Sequence, residues 1–506
     1  MEINYDGFNN SEIVIGLVGA VGIDLKQVFD IIDRKFNSFK YNSELIKISS
    51  DVIPIFSECE KTEDKYQRIS HLMNKGNEIR KRHQDNSILA KGFALYVNLK
   101  RKERNKKDEL MERTVWVVSS LKTPEEVNEL RKIYSDGFYL FGIYSSEERR
   151  FQALTENKEM EGKQAEKLIE RDKDESDDYG QKTRDTYHLS DFFINYDGNF
   201  DKFSNDIGRV IDLLFGHPYI TPTFDEYAMY MAFSAALRSG DLSRQVGAVV
   251  TRDQQIMSTG ANDVPRSGGG LYWPHYDEKN LEIIDDVDGR DYKRKFDSNK
   301  KEQKEIIDGI INSLKNSDDV KFNKKQIEKI EFKLKKSRIK DITEYGRVVH
   351  AEMEAILSCA RNYVSTKGSE LYCTTFPCHN CAKHIIASGI KRVTYIEPYP
   401  KSKATKFHSD SISLGDSDSN NESDEKSKIE KVIFEPFVGV GPKSFLKLFS
   451  ISLGGGNTIK RKDADGNIVD FNPKNAKLKT VMLPSSYIER ERYAASQLSD
   501  KERKKE

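Results

Sequence analysis

Two short segments restrict the folding of this chain more than any others: His350-Ala351-Glu352 and Pro377-Cys378-His379-Asn380-Cys381. Cysteines at CxxC spacing on the first turn of a helix present both sulfurs to one side, where the helix N-terminus favours thiolates. The helical stretch carrying them reads as Cys378–Ser388, and His350 lies near the start of another, Arg347–Arg361, with an apolar strand, Leu371–Thr375, in between. A fold that uses the three side chains together must bring the beginnings of two helices to one end of a sheet. His350, Cys378 and Cys381 are three ligands for a zinc ion that keeps its fourth position for water. Glu352 is too close in sequence to His350 to be a comfortable fourth ligand, and is placed instead to carry that water's proton. A purely structural Cys/His zinc knuckle would need a fourth protein ligand. His379 should point away, which leaves His384 and His408 as competitors for that place.

Around this pair the pattern is helix, two strands, insertion, helix, strand, helix, strand. Thr223 reads as an N-cap with Glu226 closing a capping box, Val246–Val250 and Ile256–Ser258 read as strands, and Val393–Ile396 as a further one. The Lys- and Asp-rich stretch Asp277–Lys340 reads as a helical insertion over the site, and Ser409–Lys428 as a disordered, solvated loop. Upstream, Ile13–Val18 is a buried strand opening into a glycine turn, followed by the helical spacing Leu25, Val28, Phe29, Ile32. Strand Thr114–Val118, helix Pro124–Tyr134 and strand Phe138–Ile143 continue the alternation, which predicts a parallel α/β domain. The charged stretch Glu156–Tyr187 reads as a mobile helical lid, and the tail Ser499–Glu506 as frayed. At 506 residues the chain is too long for one ordinary core. The expected fold class is α/β, in two domains: residues 11–218, and residues 219–495 with insertions at 277–340 and 409–428.

Lys plus Arg equals Asp plus Glu at 82 each, so net charge offers no argument for a polynucleotide or a membrane surface as partner. No apolar run approaches the roughly 18 residues of a membrane span, and the first residues lack a basic segment followed by an apolar one. The cysteines are few and odd in number (Cys59, Cys359, Cys373, Cys378, Cys381), which fits a reduced cytoplasm with a metal site better than a disulfide framework. Cys59, Cys359 and Cys373 read as small buried hydrophobes.

Four segments occur together in order: Ser243-Arg244-Gln245-Val246-Gly247-Ala248-Val249-Val250, Gly260-Ala261-Asn262-Asp263-Val264-Pro265, His350-Ala351-Glu352, and Pro377 to Cys381. Over residues 223–400 this resembles the deoxycytidylate deaminases, a branch of the zinc deaminases whose H-x-E and P-C-x-x-C signature supplies ligands and proton shuttle. The resemblance implies Zn2+ as cofactor, a cytidine-deaminase fold with a sheet backed by the two metal-bearing helices, and hydrolytic loss of the cytosine amine. It also implies that Asn262 contacts sugar and base and that Arg244 lies by the phosphate. An Asn that satisfies a strand-end turn and an Arg that is only surface charge are the competing readings. Tyr399 and Lys401, after the strand near the metal helix, are candidates for holding base or phosphates, against a turn with Lys401 solvated.

Gly16-Leu17-Val18-Gly19-Ala20-Val21-Gly22 resembles the start of the phosphate loop of small nucleotide kinases, which makes Gly16, Gly19 and Gly22 candidate nucleotide contacts. Counted from Gly19, Asp24, Leu25 and Lys26 stand where that loop needs glycine, lysine and a hydroxyl, so phosphoryl transfer is not expected. A glycine turn with no ligand is the alternative. Gly76-Asn77-Glu78-Ile79-Arg80, Ser120 to Val127, Glu147-Glu148-Arg149-Arg150, Arg171-Asp172, Gly180-Gln181, Thr343 to Val349, Ile396 to Ser402 and Phe434 to Pro442 extend the likeness over nearly the whole chain. They resemble bacterial antiphage deoxycytidine-nucleotide deaminases, in which a P-loop-kinase-like half is fused to the deaminase. That resemblance implies conversion of dCTP and dCMP to dUTP and dUMP, which starves phage of dCTP. It also implies restraint by the kinase-like half, in some members with a small inhibitory RNA, and dTTP as a feedback inhibitor. A homo-oligomer is expected, because related deoxycytidylate deaminases build sites at subunit contacts. Three other readings stand beside this one: a housekeeping dCMP deaminase for dTMP supply, a cytosine deaminase acting on RNA or DNA, and a nucleotide-sensing or RNA-binding scaffold. The absence of a basic stripe interleaved with aromatics weighs against the polynucleotide substrate.

Overall fold

The computed structural model describes residues 10–503 except 59–61, 105–109, 174, 176, 318–320, 343, 397–401, 416–430, 454–456 and 481–483. The first sheet grows from two strands that are buried along their whole length, β1 (Ile13–Gly19) and, after β2 (Asn42–Lys47), β3 (Thr114–Ser119). Strands covered on both faces have no solvent side, which is why both read as unbroken apolar runs. β4 (Phe138–Tyr144) and β5 (Phe192–Asn195) complete a parallel array in the order β5-β4-β1-β3-β2. Helices Leu25–Ser38 and Phe200–Leu214 cover one face, with Val28, Ile31, Ile32, Ile207 and Ile211 inward. Helices Ile88–Arg104 and Pro124–Tyr134 cover the other, the second held by a capping box of Thr123 with Glu126.

The second half carries a mixed sheet. β6 (Gly247–Arg252) and β7 (Gln255–Ala261) form an antiparallel hairpin, β8 (His275–Asp277) and β9 (Glu282–Ile284) a separate small one. β10 (Glu370–Cys373) pairs antiparallel with β6, and β11 (Arg392–Tyr395), β12 (Ile412–Leu414) and β13 (Val432–Pro436) extend the sheet in parallel to the order β12-β13-β11-β10-β6-β7. Thr223 and Glu226 form the expected capping box at the head of helix Phe224–Ala236, which packs on β6.

The two expected units are joined by more than their linker. β14 (Gly439–Val440) pairs antiparallel with β5 and so adds to the first sheet, giving the order β14-β5-β4-β1-β3-β2. Helix Pro484–Arg503 packs against Ile88–Arg104 and Pro124–Tyr134. Its Glu491 meets the guanidinium of Arg101 at 2.7 and 3.2 Å, and Glu12 meets the same guanidinium at 3.1 and 2.8 Å. All three side chains are almost completely buried. Replacing Arg101 with Met leaves two carboxylates facing each other without a counter-charge, a change that costs about 3–5 kcal/mol when a buried pair is broken from one side. Amide exchange of Tyr487–Leu498 should accelerate accordingly; unchanged exchange would show that the triad does not hold this helix.

Two expectations are corrected. Glu156–Tyr187 is helical at Gly162–Lys173 and Thr183–Tyr187, as expected, but the first of these helices is packed rather than free-standing, burying Ala165, Leu168 and Ile169 in one cluster with Met73, Leu154 and Met160. Those three apolar residues share one face of an otherwise charged segment, so the solvated charges conceal an anchored helix. The tail is helical to Arg503 rather than frayed from Ser499. Asp277–Lys340 is largely helical, as expected, with Ser298–Lys315 and Lys324–Lys335 sharing a small core of Ile307, Ile311 and Ile327. Cys359 and Cys373 are buried, and Cys59 lies outside the described residues. No helix among the described residues is long and apolar enough to cross a membrane.

Candidate metal centre

His350 is the N-cap residue of helix Ala351–Arg361, and Cys378 the N-cap of helix His379–Ala387, with Cys381 one turn in. The two helices lie side by side, so their positive ends face the same point. Glycine brings the first of them there: an added Cβ on Gly260 of β7 would sit 2.1 Å from Ala351 O and 2.5 Å from Ala355 N. Ser258 Oγ donates to Ala355 O at 2.7 Å and fixes the helix along the strand. On the neighbouring strand, Gly247 lets helix Phe224–Ala236 approach equally closely.

His350 Nδ1 lies 3.3 Å from both Cys378 Sγ and Cys381 Sγ, and the two sulfurs are 3.6 Å apart. Tetrahedral zinc, with bonds of about 2.3 Å to sulfur and about 2.0 Å to nitrogen, requires ligand atoms roughly 3.5–3.8 Å apart. The set fits such an ion with little adjustment. Among the described residues this is the one cluster of His, Cys, Asp or Glu groups close enough to share a metal.

The protonation states of His350, Cys378 and Cys381 are coupled. Hydrogen bonding from Cys381, aided by His350, lowers the Cys378 thiol to about 3, while hydrogen bonding to Cys378 raises His350 to about 9. The Cys381 thiol is pushed far up by its bond to Cys378 and by burial. Without a metal, neutral pH would therefore leave one thiolate, one thiol and an imidazolium. A metal needs both thiolates and a neutral imidazole, so zinc uptake at pH 7 should release about two protons. Calorimetry in buffers of different ionisation enthalpy measures this number; a value near zero would contradict the coupled trio.

Glu352, 3 % exposed, stands next to the ligands, and burial raises its pKa. A carboxyl whose charged form is penalised holds and releases a proton nearer neutrality, as a shuttle must. Arg244 lies near enough to His350 for its charge to oppose protonation of the imidazole. It also lies near His188 of the first half, which burial, Lys443 and Arg244 together lower to about 4. The side chain of Asn262 is committed to the backbone: Oδ1 accepts from Val246 N at 2.6 Å and Nδ2 donates to Arg244 O at 2.8 Å. One amide hydrogen and one lone pair of Asn262 remain for other partners. Tyr399 and Lys401 lie outside the described residues.

The structure separates the three glycines of the first half. Gly16 is inside β1, where an added Cβ would collide with Leu121 and Phe138, so its role is packing. Gly19 ends the strand and Gly22 turns at φ +96°, and both line a cavity of about 500 Å³ that shares no lining residue with the metal centre.

Sequence reasoning missed Arg290, which is buried, ion-paired with Asp263 and Asp285, and donates to the carbonyl of Tyr272. It ties the insertion to the residue that follows Asn262. Asp285 is five residues away, but Tyr272 and Asp263, which give the Arg its tying role, lie farther along the chain, so local pattern does not mark it.

Residues 222–397 match the model of the cytidine and deoxycytidylate deaminase zinc-binding region. The deoxycytidylate deaminase of Enterobacteria phage T2 is 30% identical over 177 residues, covering 35% of this chain and 80% of the phage protein. ComE operon protein 2 of Bacillus subtilis is 53% identical over 54 residues, 11% of this chain and 29% of that protein. The human deoxycytidylate deaminase is 27% identical over 174 residues, so this chain spans 63% of its length. A solved dCMP deaminase from cyanophage S-TIM5, in complex with dCMP and dUMP, is similar at 20% identity and a TM-score of 0.21, covering 37% of this chain and 91% of that one. The matched region contains His350, Glu352, Cys378 and Cys381, and the cofactor of this set is Zn2+.

Proposed function

This chain belongs to the deoxycytidylate deaminase family, and from that premise we propose that it hydrolyses the exocyclic amine of free deoxycytidine nucleotides, converting dCMP to dUMP and dCTP to dUTP. The observation that carries the reading is Glu352, buried beside a complete three-ligand set. His350, Cys378 and Cys381 would hold the ion, and zinc with an open position makes a bound water acidic near neutral pH. Glu352 takes the proton of the attacking water and passes it to N3 as oxygen bonds to C4. The remaining proton of the oxygen now bonded to C4 then moves through Glu352 to the amine, which leaves as ammonia and gives the uracil nucleotide. Asn262, whose amide bonds Val246 N and Arg244 O, is proposed to contact sugar and base, and Arg244 is the cation proposed to lie by the nucleotide phosphate, with Tyr399 and Lys401 as further contacts.

We assign the substrate as a free nucleotide, with depletion of dCTP during phage infection as the cellular role and the first half as the restraining element. The motifs distributed over both halves support this, together with the shared sheet and the Arg101 triad that join the halves. Inhibition by dTTP, restraint by a small RNA and assembly into a homo-oligomer belong to the same proposal. Incubating the zinc-loaded protein with dCTP, dCMP, CTP and a cytosine oligonucleotide, followed by mass spectrometry, tests it. Deamination of dCTP and dCMP is the expected result. Deamination of dCMP alone would favour dTMP supply, and deamination of the oligonucleotide alone would overturn the substrate class.

A further inference from the structure

Three strands of the second sheet, β10, β11 and β13, run parallel and so end on one edge. In open α/β sheets, ligands lie in the crevice beyond the carboxyl ends of such strands. β10 leads there to Cys378, and β6, antiparallel to β10, starts from the same edge just after Arg244. β13 leads through Phe437 and β14 to helix Pro442–Phe449, whose first turn carries Lys443. This edge is also the seam with the first half. Gly441 N donates to Asp191 O at 2.7 Å and Ser444 Oγ to the Asp191 carboxylate at 2.9 Å, which sets Lys443 against the loop that carries His188. Phe445 stacks on Tyr230 with ring centroids 4.3 Å apart and holds the same helix from the other side.

His188, Lys443 and Arg244 are all exposed. Protein nevertheless surrounds His188 and Lys443 closely enough for burial to lower the pKa of each, the condition of side chains that line a recess. Lowered to about 4, His188 is neutral at pH 7 and offers one N–H donor. The charges of Lys443 and Arg244 both act on His188, and that of Arg244 acts on His350 as well, so Arg244 stands between the metal centre and the other two. The carboxylates of this neighbourhood are committed elsewhere. Asp191 meets Arg131 at 3.2 Å, Leu140 N at 2.8 Å and Ser444 Oγ. Asp185 meets Arg184 at 3.3 Å, and Asp241 accepts from the backbone of Ser243 and Arg244. Among the described residues, no side chain bonds or pairs with the side chains of His188 and Lys443. An uncommitted ammonium and an imidazole donor beside Arg244 suit a polyanion longer than one phosphate.

We propose that Lys443 and His188 bind the β- and γ-phosphates of dCTP while Arg244 holds the α-phosphate, so that the seam between the halves selects the triphosphate over dCMP. Such selection rests on the deaminase reading above and gives the first half a direct part in substrate choice. Steady-state kinetics of the zinc-loaded full-length protein on dCTP and dCMP tests it. The wild type should favour dCTP in kcat/KM. Lys443→Ala should lower the dCTP-to-dCMP ratio of kcat/KM by more than about tenfold, mainly through KM, and His188→Ala should lower it in the same direction. Lys443→Arg, which keeps the charge, should restore most of the ratio, and zinc content equal to wild type shows that the variants are folded. No wild-type preference for dCTP, a ratio that neither alanine variant changes, equal losses for both nucleotides, or Lys443→Arg behaving as Lys443→Ala would each overturn the proposal and leave the deaminase reading intact. No turnover of either nucleotide by the wild type would overturn that reading, and the proposal with it.

Discussion

Glu352→Gln is expected to lower turnover by about 10,000-fold, near the upper end of what one acid–base group contributes, while zinc stays bound. The amide keeps the size and most of the hydrogen bonding of the carboxyl but cannot accept a proton from water and release it to an amine. Because Glu352 lies beside His350, Cys378 and Cys381 without being needed as a ligand, the metal set is untouched. Single-turnover kinetics on dCMP with zinc content measured in parallel decides the role. Loss of zinc together with loss of turnover would make Glu352 a structural support, and surviving turnover would remove it from the mechanism.

A second large effect should come from Gly260→Ala, a residue that bears no chemistry. Its new methyl would fall 2.1 Å from Ala351 O and 2.5 Å from Ala355 N, backbone atoms that no rotamer change can move aside. The helix that begins at His350 must shift outward, at about 1–3 kcal/mol for overpacking. A displacement on the order of 1 Å at the reacting groups costs about 100-fold in rate. Turnover should fall by roughly that factor with a lower melting temperature, whereas Gly309→Ala, with nothing within 4 Å of an added Cβ, should leave activity intact. Equal effects of the two substitutions would refute close helix–strand packing as the device that sets the centre.

Much of this protein is local in origin. The capping box Thr223/Glu226, the buried strands β1, β3 and β4, and the helix start at Cys378 appear where short-range pattern places them. The helix over the metal begins at Ala351 rather than Arg347, since His350 itself has extended backbone and serves as the cap. The glycine run was ambiguous for a physical reason: strand packing and phosphate loops both require glycine, and only neighbours far along the chain tell them apart. Gly16 proves to be pressed by Leu121 and Phe138, and the turn beyond it is filled by Asp172.

Sequence alone singled out the groups proposed to carry the reaction, because His350, Glu352, Cys378 and Cys381 have their spacing and chemistry within two short segments. Tertiary structure decided what those groups meet. It placed Nδ1 of His350 3.3 Å from both sulfurs, committed Asn262 to a loop, and joined the last helix to Arg101 and Glu12. Helical and strand periodicities report which side of an element is buried, but not which distant residue buries it. Ion pairs, close backbone approaches and cavities depend on that pairing, so they become visible only once the chain has folded.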